Sequence, residues 1–202
     1  MATYTSSGDG YFTDVVTASH TSADTIIIRQ GDVVSGNVHI DCYDMYVSGS
    51  YNTMSGSTSY NITTADKLQI GVGTAPGAVD STLIPNDSTL SIASGSLTSL
   101  GLYLKENATV VGGGGEWFVG TLNADGGNDN ALTMTTGACW INGSASDGIC
   151  LAMRGNTTFD ANGGLIGICG SGTQYYYERN NTSRVFNSFV LDKEIYLFRL
   201  LP

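Results

Sequence analysis

Charge of either sign is scarce in this sequence. Charged residues make up 13% of the 202 residues, about half the usual share of roughly 25%. Only eight residues are Lys or Arg, against 18 that are Asp or Glu, so the net charge is −10. No basic run concentrates the few positive side chains. A surface of this sign repels phosphate backbones and anionic headgroups, so we expect no nucleic-acid partner and no binding to an anionic membrane surface.

Long apolar runs are missing as well. No window reaches 18 consecutive apolar residues, so the sequence predicts no insertion into a membrane as a helix. The N-terminal stretch contains no basic region followed by an apolar stretch, so no signal peptide is expected in this chain. Two origins stay open at this point: a protein assembled in the cytoplasm, such as a part of a virion, or an exported surface protein whose signal has been removed.

Motifs for metal or redox chemistry are also missing. Four cysteines occur, Cys42, Cys139, Cys150 and Cys169, and none belongs to a C-x-x-C pair. Structural zinc needs paired ligands at short spacing, so we expect no metal and no cofactor. Cys150 and Cys169 each follow a Gly-Ile pair. If their spacing equals one structural repeat, they stack as small buried thiols on adjacent coils, and this is the prediction. A disulfide between them is the alternative in an oxidising compartment.

What the sequence does contain is a series of short apolar segments separated by small polar residues. Glycine is abundant, with 27 residues, and proline is rare, with three. No window shows the i, i+3, i+4, i+7 spacing of an amphipathic helix. Val, Ile, Thr and Tyr dominate the apolar segments, and these residues favour strands. The predicted strands are 25–29, 33–40, 43–48, 67–72, 89–93, 99–104, 116–119, 131–135, 138–142, 149–153, 164–169, 174–178, 185–191 and 194–200.

Weak internal repeats suggest how these strands are arranged. An apolar-Ser-Gly triplet recurs at 34–36, 47–49 and 54–56, and similar triplets occur at 93–95 and 111–113. Residues 107–110 and 156–159 also resemble each other. Self-similarity at a period of roughly 20 residues is typical of a parallel β-solenoid with one coil per repeat. We therefore predict an all-β protein with a solenoid body over 25–172, an N-terminal lead or cap over 1–24, and an apolar strand pair over 173–202. A β-sandwich is the alternative fold.

At these triplets the chain resembles a known family. The apolar-Ser-Gly turns and the interspersed Asn-x-Thr sequences are similar to the passenger repeats of AIDA-type autotransporter adhesins, and more loosely to the β-helical shafts of phage fibres and tailspikes. The resemblance covers about residues 25–170. It implies a role in adhesion or in a fibre, and it transfers no functional residues.

Two glycine-rich stretches invite functional interpretations that their sequences do not support. Residues 112–115 are four consecutive glycines followed by Glu116. A phosphate-binding loop would continue with Lys and Ser or Thr into a helix, so we predict a turn. Residues 125–132 resemble one calcium-binding nonapeptide, but that motif binds calcium when copies stack, and one copy is present. The second stretch is predicted to be the tip of a loop.

Catalysis would require carboxylates held together in a cleft. His39 and Asp41 are spaced to lie side by side on the outer face of a strand, with Asp44 on the opposite face. Nothing in the sequence gathers further acids around them. We expect solvated surface acids and no enzymatic activity, and a polysaccharide depolymerase of the tailspike type is the alternative.

Three consecutive tyrosines, Tyr175, Tyr176 and Tyr177, lie between a glycine-rich turn and a charged pair. Consecutive side chains on a strand point to opposite faces, so at least one ring is expected outside. Exposed tyrosine stacks on sugar faces and anchors interfaces at low entropic cost. This stretch is therefore a candidate contact for a surface glycan or a partner.

The C-terminal segment differs from the rest because it is dense in large apolar residues. Its two predicted strands, 185–191 and 194–200, carry such side chains on both faces, which suits burial on both sides. Left exposed, they would favour aggregation, so we predict docking between subunits in a homo-oligomer or fibre. The alternative is that the pair caps the core of its own chain. The predicted assembly residues are Val185, Phe186, Phe189, Leu191, Ile195, Leu197 and Phe198.

The sequence thus predicts a non-catalytic structural or adhesive module of a cell surface or virion that assembles through its C-terminal strands. Its expected location is extracellular, on a cell surface, or in a virion. A β-sandwich virion decoration protein is a further alternative.

Overall fold

The computed structural model describes residues 1–55, 58–71, 88–105, 107–126, 130–143, 149–154, 156–170, 175–179 and 185–191. In this part the chain is all-β, with eighteen strands and the four-residue helix α1 (Phe12–Val15). The strands are β1 (Thr3–Thr5), β2 (Gly10–Tyr11), β3 (Thr25–Ile28), β4 (Val33–Gly36), β5 (Ile40–Val47), β6 (Ser50–Thr53), β7 (Ile62–Ile70), β8 (Ser88–Ile92), β9 (Leu97–Lys105), β10 (Ala108–Gly112), β11 (Trp117–Gly126), β12 (Ala131–Thr133), β13 (Ala138–Ile141), β14 (Ile149–Arg154), β15 (Thr158–Asp160), β16 (Leu165–Ile168), β17 (Tyr175–Arg179) and β18 (Ser188–Leu191).

These strands form two parallel sheets. In the large sheet β1, β3, β5, β7, β9, β11, β13, β16 and β18 lie side by side in that order, while β14 pairs with β11 and β17. The small sheet has the order β2, β4, β6, β8, β10, β12 and β15. Every pairing between described strands is parallel. Greek-key β-sandwiches are built from antiparallel sheets, so the alternative fold does not describe these pairings.

From β1 to β13 the chain passes alternately through the large and the small sheet, and we call one such passage a rung. The register gives the length of each rung. Thr3 pairs with Thr25, and Thr25 with Asp44, so the first two rungs are similar in length. A later rung is much longer, because Ile62 pairs with Leu97. The predicted period of roughly 20 residues is therefore right for several rungs and too regular for the whole chain.

The register also tests two of the internal similarities in the sequence, that of 93–95 to 111–113 and that of 107–110 to 156–159. Ile92 pairs with Gly112, so the triplet 93–95 aligns with 113–115, two residues beyond the predicted match. The second similarity is confirmed. Thr109 pairs with Ala131, and Ala131 with Thr158, so 107–110 and 156–159 occupy equivalent positions two rungs apart.

Several predicted strand boundaries were wrong because apolar content alone set them. The predicted strand 33–40 is divided between β4 in the small sheet and β5 in the large one. Strands β1, β2, β6, β10 and β15 were missed. They are rich in small and polar side chains, and they form because each lies beside an equivalent strand of a neighbouring rung.

Buried apolar side chains stack directly on one another between the sheets. Because rungs are parallel and in register, equivalent residues repeat at the strand spacing of about 4.8 Å. One stack of the large sheet contains Ile26, Met45, Leu68, Leu102, Leu122 and Leu151, and a second contains Ile40, Ile62, Leu97, Trp117, Cys139 and Ile166. The small sheet contributes Val34, Tyr51, Leu90, Val110 and Leu132. Burying each such side chain contributes roughly 1.5–3 kcal/mol.

The inward-facing pattern changes phase in the middle of β5 and β9, where the register shifts, whereas β7 has one more residue at this point and keeps its phase. Such an irregularity leaves backbone groups without ladder partners. Buried side chains provide hydrogen-bond partners for some of these backbone groups. The Cys42 thiol donates to the Asp44 carbonyl oxygen at 3.4 Å, and the Ser99 hydroxyl donates to the Gly101 carbonyl oxygen at 2.9 Å. The small polar residues at this bend are thus part of the core.

Residues 1–24, the predicted lead or cap, supply β1, β2 and α1. Strands β1 and β2 begin the two sheets. Phe12 at the start of α1 is fully buried and packs edge-on against Tyr51, with ring centroids 6.2 Å apart. The helix therefore closes the N-terminal end of the core with a large apolar side chain.

The glycine-rich turn after β10 offers a stability test with a matched control. A methyl group on Gly113 would overlap the carbonyl oxygen of Ala93 in the preceding rung, whereas one on Gly114 would find its nearest atom, Thr136 Oγ1, at 4.0 Å. We expect Gly113→Ala to lower the free energy of unfolding by about 1–3 kcal/mol or more. Gly114→Ala is expected to change it by less than about 1 kcal/mol. Denaturant unfolding followed by circular dichroism measures both, and equal stabilities would contradict this account of the turn.

Candidate functional site

At the C-terminal end of the large sheet, β18 adds one further parallel strand beside β16. Phe189 pairs with Ile166, and Leu191 pairs with Ile168, so both side chains continue inward-facing stacks of the core. Their neighbours in the preceding rung are buried, whereas Phe189 is 39% exposed and Leu191 is 45% exposed. The strand is shorter than predicted, since 185–187 are not part of it. The second predicted strand, 194–200, lies outside the described residues.

An aromatic cluster lies beside this end of the core. The Phe186 ring contacts Phe159, Tyr176 and Phe189, with centroid distances of 5.3, 6.3 and 5.4 Å. Phe186 is half-buried and packs against the main core, while Val185 is exposed. The remaining predicted assembly residues, Ile195, Leu197 and Phe198, lie outside the described part of the chain. The structure therefore brings Phe186 and Phe189 together and places Leu191 on the same terminal strand.

The three tyrosines belong to β17, which pairs with β14. Tyr176 follows Leu151 in its stack, is half-buried, and packs against the core. The side chains of Tyr175 and Tyr177 lie outside the described part. A glycan contact at these tyrosines stays a prediction.

The predicted stacking of Cys150 on Cys169 is wrong. Cys150 lies in β14, whose next strand is β17, whereas Cys169 directly follows β16, whose neighbour is β13. The rung here runs from Ala138 to Leu165, which is longer than the interval between the two cysteines, so that interval does not connect equivalent positions. All four cysteines are present as thiols. Burial raises the pKa of Cys42 and Cys139 to about 12 and that of Cys150 to about 11.

Asp44 and His39 both bond to the backbone of a neighbouring rung. Asp44 was predicted on the face opposite to Asp41, and this is wrong, because the irregularity in β5 shifts the phase and leaves Asp44 partly exposed between inward-facing Cys42 and Met45. One Asp44 carboxylate oxygen accepts a hydrogen bond from the Lys67 backbone N–H at 3.0 Å. His39 Nδ1 accepts one from the Asn61 backbone N–H at 3.1 Å. These side chains tie neighbouring rungs together.

The two glycine-rich stretches are also structural where they are described. Residues 113–115 form the predicted turn between β10 and β11. In the second stretch, Asn130 is buried and its side-chain oxygen accepts a hydrogen bond from the Ala108 backbone N–H at 3.0 Å. Among the residues that the structure describes, no group of three or more potential metal ligands occurs. In the same residues no helix is long and apolar enough to span a membrane.

A groove on the outer face of the large sheet was missed by the sequence analysis. Its volume is about 400 Å³. One wall is a row of side chains from four successive rungs, each in register with the next: Thr63, Thr98, Phe118 and Trp140. The other wall lies at the bend of the sheet and contains Ala65, Leu100, Gly120, Asn142 and Cys169. We call this feature the outer groove.

Two aromatic side chains dominate the outer groove. Phe118 is 45% exposed, and Trp140 in the next rung is half-buried. A methyl group on Gly167 would overlap the Trp140 indole, so the ring lies over a position that glycine leaves open. The sequence carries a signal for this pair, because Phe118 and Trp140 directly follow the register partners Trp117 and Cys139. Recognising it requires the register of β11 and β13.

Compared with known proteins, this chain matches no family model, no curated protein and no solved structure.

The thiol environments predict which cysteine reacts in the folded protein. With a pKa near 11 or 12, the buried thiols of Cys42, Cys139 and Cys150 are protonated at pH 8, and the thiolate is the reactive form. Cys169 is half-buried beside the outer groove. We expect an aromatic disulfide reagent to label one thiol per native chain and four after unfolding. Cys169→Ser should remove the native reaction, and a reaction that persists in this variant would show that a buried thiol is accessible.

Proposed function

We propose that this protein is a non-catalytic β-solenoid, a structural or adhesive module of a cell surface or virion, which self-associates through its C-terminal end. Three features support the solenoid. The chain alternates between two parallel sheets, consecutive rungs are similar in length in several places, and buried side chains form stacks that continue through six rungs. Solenoids of this kind present extended surfaces and repeat one structural unit along an axis.

The observation that carries self-association is the exposure of β18, the last strand that the structure describes. Phe189 and Leu191 occupy positions that are buried in the preceding rungs, yet both are substantially exposed. A further layer over them would bury apolar area on both partners, at about 25 cal/mol per Å². The end of a sheet also accepts an added strand through backbone hydrogen bonds.

The two ends of the described chain differ in this respect. At the N-terminal end α1 places Phe12 against Tyr51 and closes the core. At the C-terminal end the inward-facing side chains of β18 remain partly open. This asymmetry favours association through the C-terminal end of each subunit, which is the geometry of a closed oligomer. Head-to-tail contacts would instead generate a ring or an open fibre.

The outer groove supports a binding role over a catalytic one. None of the described residues that line it is a carboxylate or an imidazole, and glycoside hydrolysis normally uses a pair of carboxyl groups. The depolymerase alternative therefore gains no support from this groove.

Self-association is tested with Leu191→Asp, which places a charge at the open end of the core. We expect the parent chain to sediment as an oligomer at micromolar concentration and Leu191→Asp to sediment as a folded monomer. Val111→Asp is the matched control, because Val111 is 38% exposed on the outer face of β10. This variant should associate like the parent chain.

A second variant separates docking between subunits from an intramolecular cap. We expect a chain that ends at residue 183 to remain folded and monomeric by circular dichroism and sedimentation. If it unfolds, or if the parent chain is a monomer at micromolar concentration, the C-terminal segment covers its own core and the proposed assembly is wrong.

A further inference from the structure

The outer groove presents a row of aromatic and hydroxyl groups along the direction in which the rungs stack. Thr63, Thr98, Phe118 and Trp140 are consecutive register partners, so their Cα atoms follow one another at about 4.8 Å. The row is fixed by backbone hydrogen bonds and not by a loop. A ligand that binds along it must therefore be elongated and must offer both apolar and polar surfaces.

The aromatic part of this row is held in place. The Trp140 indole lies over Gly167, where any other residue would compete for the same space. Phe118 lies in the adjacent rung and is 45% exposed. Core packing does not require the exposure of Phe118, since its neighbours Trp117 and Val119 carry the inward-facing positions of β11.

The polar groups of the outer groove are uncharged. Thr63 and Thr98 supply hydroxyls at one end, and Asn142 supplies an amide on the opposite wall. No charged residue occurs among the described residues that line the groove, and the chain as a whole carries a net charge of −10. The field of the protein therefore disfavours acidic polysaccharides and nucleic acids.

We propose that the outer groove binds a neutral saccharide chain, with sugar rings stacked on Phe118 and Trp140 and sugar hydroxyls bonded to the threonine and asparagine side chains. A sugar ring has an apolar C–H face and a rim of hydroxyls, which matches aromatic surfaces flanked by neutral donors and acceptors. A peptide strand is a poorer match, because strand addition uses a sheet edge and this groove lies on a sheet face. The inference specifies the adhesive part of the proposed function and does not depend on self-association.

The test is calorimetric titration of the full chain with cellohexaose, chitohexaose, maltohexaose and mannan, and with polygalacturonate as the anionic probe. We expect at least one neutral probe to bind with Kd below about 1 mM and polygalacturonate to bind more weakly. Phe118→Ala and Trp140→Ala should each weaken binding by roughly tenfold or more. Tyr43→Ala is the matched control, since Tyr43 is 40% exposed on the outer face of β5 and lies outside the groove. It should bind like the parent chain.

Three outcomes would overturn the inference: no neutral probe binding below about 1 mM, equal binding by variants and parent, or loss of self-association in Phe118→Ala or Trp140→Ala, which would identify the occupant as a second copy. Thermal unfolding establishes that the variants are folded. Titration of Leu191→Asp separates the two proposals, because saccharide binding does not depend on self-association. If the chain forms oligomers but saccharide binding does not depend on the groove, only this inference is wrong. If the parent chain is monomeric and binds saccharide, only the proposed assembly is wrong.

Discussion

Parallel hydrogen bonding between consecutive rungs determines which side chains meet in this protein. Once Thr3 is paired with Thr25, and Thr25 with Asp44, each position faces its equivalents at the strand spacing. Inward-facing positions are then apolar in consecutive rungs, as in the stack from Ile26 to Leu151, or polar with a hydrogen bond inside the core, as at Ser99. The same constraint acts on turns, because equivalent backbone segments approach closely. It explains why Gly113 has no room for a methyl group, whereas Gly114 has.

Stacking gives the outer surface its order as well. Outward-facing residues form rows that run across the strands, and the row that contains Phe118 and Trp140 is one of them. Elsewhere, polar groups of neighbouring rungs bond to each other, as Asp44 does to the Lys67 backbone and His39 to that of Asn61. The row of the outer groove is different because it places the exposed Phe118 ring next to the half-buried Trp140 ring, although core packing does not require the exposure of Phe118. For that reason we assign it to a ligand.

Stacked architectures have an intrinsic problem at their ends, where the last rung has a neighbour on one side only. The N-terminal end is closed by α1, with Phe12 packed on Tyr51. At the other end, Phe189 and Leu191 extend the core stacks while remaining accessible. The contrast between the ends, more than the composition of the C-terminal segment, is the physical basis for proposing association there.

Local chemistry determined the secondary-structure class. Scarce charge, frequent glycine and short segments rich in β-branched residues excluded long helices, and the similarity of 107–110 to 156–159 marked equivalent positions correctly. Register decided the rest. Rungs vary in length, so the spacing of Cys150 and Cys169 did not make them neighbours, and an irregularity in β5 changed the side on which Asp44 lies. The outer groove needs four rungs in alignment. A sequence lists its residues in one dimension, and only the hydrogen bonds between rungs fix which of them share a row.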